Sequence, residues 1–286
     1  MELFRIISLE TFIDLLHHKR ERYVRPSTWE DVFEGYLFSK IYDPIERRKI
    51  VEDIYYTICP RNYKATIENM LRLEHSKWFV YGQCWTTEAE SDAMWRIYSY
   101  GKHSIQIQTT KAKIEHLFDG TENIKHIIEP IKYDVDPADD LTQKQIQQLK
   151  QTLSIYEPYL HKRKAFSHEN EIRVLIDNSS YFQMTEMNMM GANWNIYETM
   201  KQKKNDQEVL EEILFRLDKF MDKWNNNILP NSVHIENIDL KEYVSAVVVN
   251  PFAEEWYVDL IKGLCEEYEL NCLGQSKLYK MNITKF

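Results

Sequence analysis

Glu169 and Glu171, with Arg173 two residues on, are the residues whose type and spacing point most directly to chemistry. Read as a strand, Ser167 to Ile176 puts Glu169, Glu171 and Arg173 on one face and Ile172, Val174 and Ile176 on the other. At a rise of about 3.3 Å per residue, the two carboxylates stand roughly 7 Å apart. Like charges at that spacing repel. Such a pair is therefore solvated, offset by Arg173, or kept for a purpose. A solvated strand face accounts for the same pattern.

A second stretch, Phe79 to Thr109, has the makings of a cleft wall. It starts as an apolar run, crosses the hydroxyl pair Thr86-Thr87, forms a short helix capped by Ser91 or Asp92, and ends in strict alternation. Ala93, Met94, Ile97 and Tyr98 recur at helical spacing, while Ile105 and Ile107 share one side of the return strand. Arg5 is the one charge in the first strand, Leu3 to Ile7. It is either an edge cation reaching solvent or an anion-binding guanidinium at the cleft floor.

The flanking elements position these residues. Ser8 caps a helix carrying Leu9, Phe12, Ile13, Leu15 and Leu16. The acidic residues between Trp29 and Glu34 lack a visible partner and read as caps or pocket wall. Tyr36 to about Lys77 is mostly helical packing, Lys111 to Phe118 a helix and Ile127 to Val135 a strand. A long polar helix runs from Pro137 to about Ala165. Its end, His161-Lys-Arg-Lys164, places cations at a helix C-terminus, with a phosphate role as the sharper reading. Residues 181–235 read as a helical insertion or lid, with a stripe from Val209 to Met221. Tyr243 to Val249 is a central strand, Glu254 to Tyr268 an amphipathic helix and Leu273 to Met281 a last strand.

Composition sets outer bounds. With 36 Lys+Arg against 45 Asp+Glu, the net charge of −9 argues against general electrostatic binding to nucleic acid or anionic membrane. Seven glycines form no phosphate loop or dinucleotide fingerprint. Cys59, Cys84, Cys265 and Cys272 have no metal-ligand spacing, and the histidines make no constellation with acids, so no metal is expected. No leader and no membrane-spanning run is seen, and the expectation is a reduced, cytoplasmic protein of one elaborated domain, 1–286.

Two resemblances rest on these residues. Trp29-Glu-Asp-Val-Phe-Glu34, Ala93-Met94-Trp95-x-x-Tyr98, Lys164-x-Phe-x-x-Glu169-x-Glu171-x-Arg173 and the closing strand-proline-helix-strand resemble an uncharacterised bacterial family, domain-of-unknown-function family 2971. That resemblance runs from about Leu3 to Tyr279 and implies no activity. The order Arg5, then Cys84-Trp85-Thr86-Thr87, then Glu169-x-Glu171 is similar to the arginine, Ser-Thr-Ser and Glu-x-Glu series of ADP-ribosyltransferases. It implies NAD as substrate: Arg5 would clamp NAD phosphate or ribose, and Thr86 and Thr87 would brace the nicotinamide pocket. Glu171 would be the catalytic glutamate and Glu169 would activate the acceptor. Trp85, Trp95 or Tyr98 would stack on nicotinamide. Trp85 stands where a serine is expected, and Arg173 is no part of that signature.

The expected fold is therefore α+β, with mostly antiparallel mixed sheets, flanking helices and an ADP-ribosyltransferase-like core. The expected activity is ADP-ribosyl transfer to a protein or nucleic-acid acceptor, or NAD cleavage, as in a bacterial toxin or phage-defence effector with a regulatory protein partner. The rivals are a non-catalytic interaction module, with the Met-rich insertion as docking surface, and a nucleic-acid-processing enzyme, which the acidic balance disfavours. If the enzyme reading holds, Arg5, Thr86 and Glu171 converge in one cleft.

Overall fold

Alternating apolar residues build the strands, and apolar stripes at helical spacing cover them. The computed structural model describes residues 1–31, 33–35, 38, 41–99, 101–121, 124–135, 147, 149–179, 205–224 and 230–279. The strands are β1 (Glu2–Ser8), β2 (Glu21–Val24), β3 (Val80–Thr86), β4 (Ser104–Thr110), β5 (Lys125–Pro130) and β6 (Lys132–Val135). They continue with β7 (His161–Arg163), β8 (Glu171–Asp177), β9 (Ser232–Ile235), β10 (Ala246–Val249) and β11 (Cys272–Gln275). The helices are α1 (Leu9–His18), α2 (Pro44–Asp53), α3 (Tyr63–Phe79) and α4 (Asp92–Tyr98). After them come α5 (Lys111–His116), α6 (Asp206–Trp224), α7 (Leu240–Tyr243) and α8 (Glu255–Glu267).

The fold is α+β. One sheet runs β11-β10-β4-β1-β3-β2-β9, with β8 paired to β3 and β5 to β8. Every pairing in it is antiparallel except β10 with β11. β6 and β7 form a separate parallel pair. β1 lies inside the sheet, hydrogen-bonded to β4 along its length and to β3 at Phe4↔Thr86, so Arg5 is not an edge residue.

The sheet separates two cores. On one face Leu3, Ile7, Tyr81, Trp85, Ile105, Ile107, Ile172, Val174 and Ile176 meet Phe12, Leu15 and Leu16 of α1 and Tyr257, Ile261 and Cys265 of α8. On the other, Val80 and Leu175 meet Ile50 and Val51 of α2, Ile67, Met70 and Leu71 of α3, and Val209, Ile213 and Leu217 of α6. Val209, Ile213 and Leu217 of the stripe expected on α6 are thus buried in the second core, and β9 pairs with β2 at the sheet edge. Residues 181–204 of the expected insertion lie outside the described residues. No helix among the described residues is long and apolar enough to cross a membrane.

Several boundaries differ from the sequence reading. The polar helix does not reach Ala165. Leu153 takes a left-handed backbone (φ 47°), and Pro158 follows inside a 3-10 turn, where its missing N–H cannot continue a helix. His161 to Arg163 is consequently a strand. The single strand expected over Ile127 to Val135 breaks after Pro130 into β5 and β6, and the strand expected from Tyr243 begins only at Ala246, Tyr243 closing the short helix α7. Glu169 ends a 3-10 turn (Lys164–Glu169) and Asn170 is left-handed (φ 40°), so β8 begins only at Glu171. The last strand stops at Gln275, and residues 280–286 are outside the described set.

Gly82, in β3, has no side chain because none fits. A Cβ there would stand 2.8 Å from the Trp29 indole and 2.8 Å from Leu175. Gly82→Ala therefore displaces Trp29 or the strand, and we expect a loss of about 1–3 kcal/mol of unfolding free energy. Urea denaturation of the variant beside wild type checks this; an unchanged midpoint would mean that Trp29 does not pack on β3.

Candidate functional site

Four segments far apart in sequence enclose a cleft of about 790 Å³ on the second face of the sheet. β3 contributes Cys84 and Thr86, because its even-numbered residues face away from the core that holds Tyr81 and Trp85. α4 presents Met94, Ile97 and Tyr98 on one helical side. The turn after Pro26 supplies Trp29, Asp31 and Glu34, while β7 and the following turn supply Lys162, Arg163, Phe166 and Glu169. Glu171 opens β8, opposite Thr86 in the register.

At the floor lies a connected charge cluster. Lys162 Nζ donates to Glu169 Oε2 (2.6 Å) and Glu171 Oε2 (3.0 Å) and stands 3.5 Å from Glu34 Oε1. Arg173 Nε donates to Glu171 Oε1 (2.6 Å), its Nη1 to the Tyr159 carbonyl (2.5 Å), and its Nη2 pairs with Glu34 Oε2 (2.5 Å). The Arg173 guanidinium also lies over the Trp29 ring, 4.2 Å from its centre. Tyr98 donates its hydroxyl to Glu169 Oε1 (2.8 Å). Beside the cluster, Arg163 pairs with Asp31 (2.9 Å) and lies over Phe33 and Phe166.

Burial and charge pull these groups apart. Burial would raise the Glu171 carboxyl, but Arg173 and Lys162 outweigh it and bring its pKa down to about 2. Glu34 goes the other way: burial raises it, and the attraction of Arg173 does not cancel that. Burial and the Glu169 carboxylate push the Tyr98 phenol up, so it remains a donor. The Cys84 thiol is likewise raised, by burial and then by Glu171. One arginine thus serves two carboxylates with opposite shifts, a pattern that separates acid from base roles.

Of the site residues singled out from sequence, Arg5, Thr86, Tyr98, Glu169 and Glu171 line this cleft. Thr86 Oγ1 donates to the Glu169 carbonyl (2.6 Å) and accepts from Glu88 N–H (3.0 Å), which braces the turn carrying Glu169. Arg5 is placed differently. Its strand forms part of the wall, but the guanidinium shares parity with Leu3 and Ile7 and turns into the first core. There it forks onto Glu21 (2.8 Å to each oxygen) over the Trp85 ring. Gln83 ties the same Glu21 to the Trp85 indole N–H. Trp95 is 1% exposed and off the lining, so it offers no face to a ligand, and Thr87 is exposed beyond the cleft.

From sequence Asp31 and Glu34 read only as caps or pocket wall, and Lys162 and Arg163 as helix-end cations with a phosphate role as the sharper reading; none was joined to Glu169 and Glu171. Pro158 was the available signal: no helix runs through it, and a short strand after it would turn Lys162 inward.

The low pKa of Glu171 carries a stability consequence. A carboxyl bound in its ionised form stabilises the fold above its ordinary pKa of 4.5, and that contribution is lost as pH falls through about 2. We expect wild type to lose stability over that window more steeply than Glu171→Gln, which has no such group. Denaturant unfolding of both proteins from pH 5 to pH 2 tests this; parallel curves would remove Glu171 as the group responsible.

Residues 94–174 match the model of a family described as a protein of unknown function (DUF2971). The matched stretch runs from α4 to β8 and contains Tyr98, Lys162, Glu169, Glu171 and Arg173. Comparison with curated proteins finds no match, and comparison with solved structures finds none.

Proposed function

We propose that the cleft binds NAD and cleaves the bond between nicotinamide and ribose, passing ADP-ribose to a protein or nucleic-acid acceptor or to water. The observation that carries this reading is the meeting of Thr86, Tyr98, Glu169 and Glu171 in one aromatic-walled cleft. Thr86, Glu169 and Glu171 come from the motifs whose order is similar to that of ADP-ribosyltransferases, and Tyr98 is one of the aromatics expected to stack on nicotinamide. The charge balance supports it as well. Among the lining residues Glu30, Asp31, Glu34, Glu169 and Glu171 outnumber Arg5, Lys162 and Arg163, which favours a cationic ring beside Tyr98 and Phe166.

The chemistry asks little of the protein beyond placed charge. As the C1′–N bond breaks, its electron pair moves to the ring nitrogen and neutral nicotinamide leaves. The positive charge left on the ribose is countered by the Glu171 carboxylate, which Arg173 and Lys162 hold ionised. An acceptor oxygen or nitrogen then bonds C1′, and its proton passes to Glu169 and on to solvent. With water as acceptor the products are nicotinamide, ADP-ribose and a proton. Arg163, 30% exposed, takes the phosphate-facing role, since the Arg5 guanidinium is committed to Glu21.

Nicotinamide release from NAD by the purified protein, with and without cell lysate as acceptor source, is the test. Wild type is expected to release nicotinamide, and Glu171→Gln to lose about 100-fold or more of the rate, as when a group stabilising transition-state charge is removed. No release, together with no NAD binding by calorimetry, would overturn the proposal.

A further inference from the structure

Glu169 and Glu171 are two negative charges side by side, and repulsion should drive them apart or keep one protonated. Instead a third residue stands between them and hydrogen-bonds to both. Lys162 has 7% of its side chain exposed and makes hydrogen bonds of 2.6 Å and 3.0 Å to one oxygen of each carboxylate, with its ammonium over the Phe166 ring. β7 is anchored beside it. The neighbouring His161 imidazole is clamped between Asp134 Oδ1 (2.7 Å) and Glu157 Oε1 (2.9 Å), and Lys132 holds Glu157 in turn (2.6 Å). Alternation along the strand then sends Lys162 the other way, into the cleft.

We propose that Lys162 is a positioning residue: its ammonium bridges Glu169 and Glu171 across the left-handed Asn170 and holds them as one paired unit on the cleft floor. The proposal rests on the reading of these two carboxylates as the reacting pair, yet it concerns how they are held and needs no turnover to be measured. It also explains why Glu169 faces the cleft at all. Glu169 lies outside β8, so strand alternation does not place its side chain; the Lys162 and Tyr98 hydrogen bonds and the Thr86 brace do.

The groups that face this unit come from every element around it. They are Glu34 from the turn after Pro26, Cys84 from β3, Tyr98 from α4, Tyr133 from β6, whose hydroxyl accepts from Glu171 N–H, and Arg173 from β8. Arg173 serves Glu171 and Glu34 but makes no hydrogen bond to Glu169. Lys162 is therefore the cation shared by the pair.

The test is a carboxyl NMR titration of glutamate-labelled protein, assigned with Glu169→Gln and Glu171→Gln. It compares wild type with Lys162→Met, Lys162→Gln and Lys162→Arg. Two uncharged variants guard against one failing to fold. Removing the ammonium should move the higher of the pair's two apparent titrations upward by about one unit or more, while Lys162→Arg stays close to wild type. Unmoved titrations in the uncharged variants would overturn the proposal. An equal shift in Lys162→Arg would also overturn it, since any change of shape would then suffice. Nicotinamide release fails or succeeds independently of this titration, so the two readings stand or fall separately.

Discussion

Three buried carboxylates and two buried cations hold the cleft side of this protein together. Glu34, Glu169 and Glu171 share Lys162 and Arg173, and each of the five sits almost wholly out of water. Taking such charges out of water is expensive, and a well-packed apolar cluster would often be as stable or more so. What the ions provide instead is specificity of assembly. The cluster ties the turn after Pro26, β7, the 3-10 turn before Asn170 and β8 to one another. Removing any one member leaves the others uncompensated, which is why the site and the local fold cannot be separated.

How much of this could be read from the sequence depends on the distance over which each interaction acts. Elements defined by their own periodicity were legible: β1 with Leu3 and Ile7, α1 behind Ser8, the alternation of β4, and the apolar stripes of α6 and α8. Partnerships across the chain were not. Asp31 and Arg163 are 132 residues apart, and neither carries a local mark of the other. Glu34 looked partnerless because Arg173 and Lys162 reach it only through the folded sheet. Arg5 is more instructive. Its residue type suggested an anion site, yet its parity with Leu3 and Ile7 already placed it on the core side of the strand.

The cleft also differs from an ordinary anion pocket. Its cations are committed to carboxylates, and its aromatic rings lie against cations: Trp29 under Arg173, Phe166 beside Lys162 and Arg163. A ligand entering it meets a surface slightly rich in negative charge and lined by π-faces. That character suits a planar cation better than a bare phosphate.

The two sides of the sheet carry separate polar networks, with Arg5, Glu21, Gln83 and Trp85 on one and the carboxylate–lysine cluster on the other. The strands run between them as an insulating partition, each residue committed to one side or the other by its parity. This arrangement gives the molecule evolutionary freedom of a particular kind. Descendants can exchange cleft residues at even-numbered positions of β3 for new specificities while the odd-numbered ones, which knit the first core, stay untouched. A single-residue slip would trade one network for the other, so substitution is an open route to innovation in these strands and insertion is a closed one.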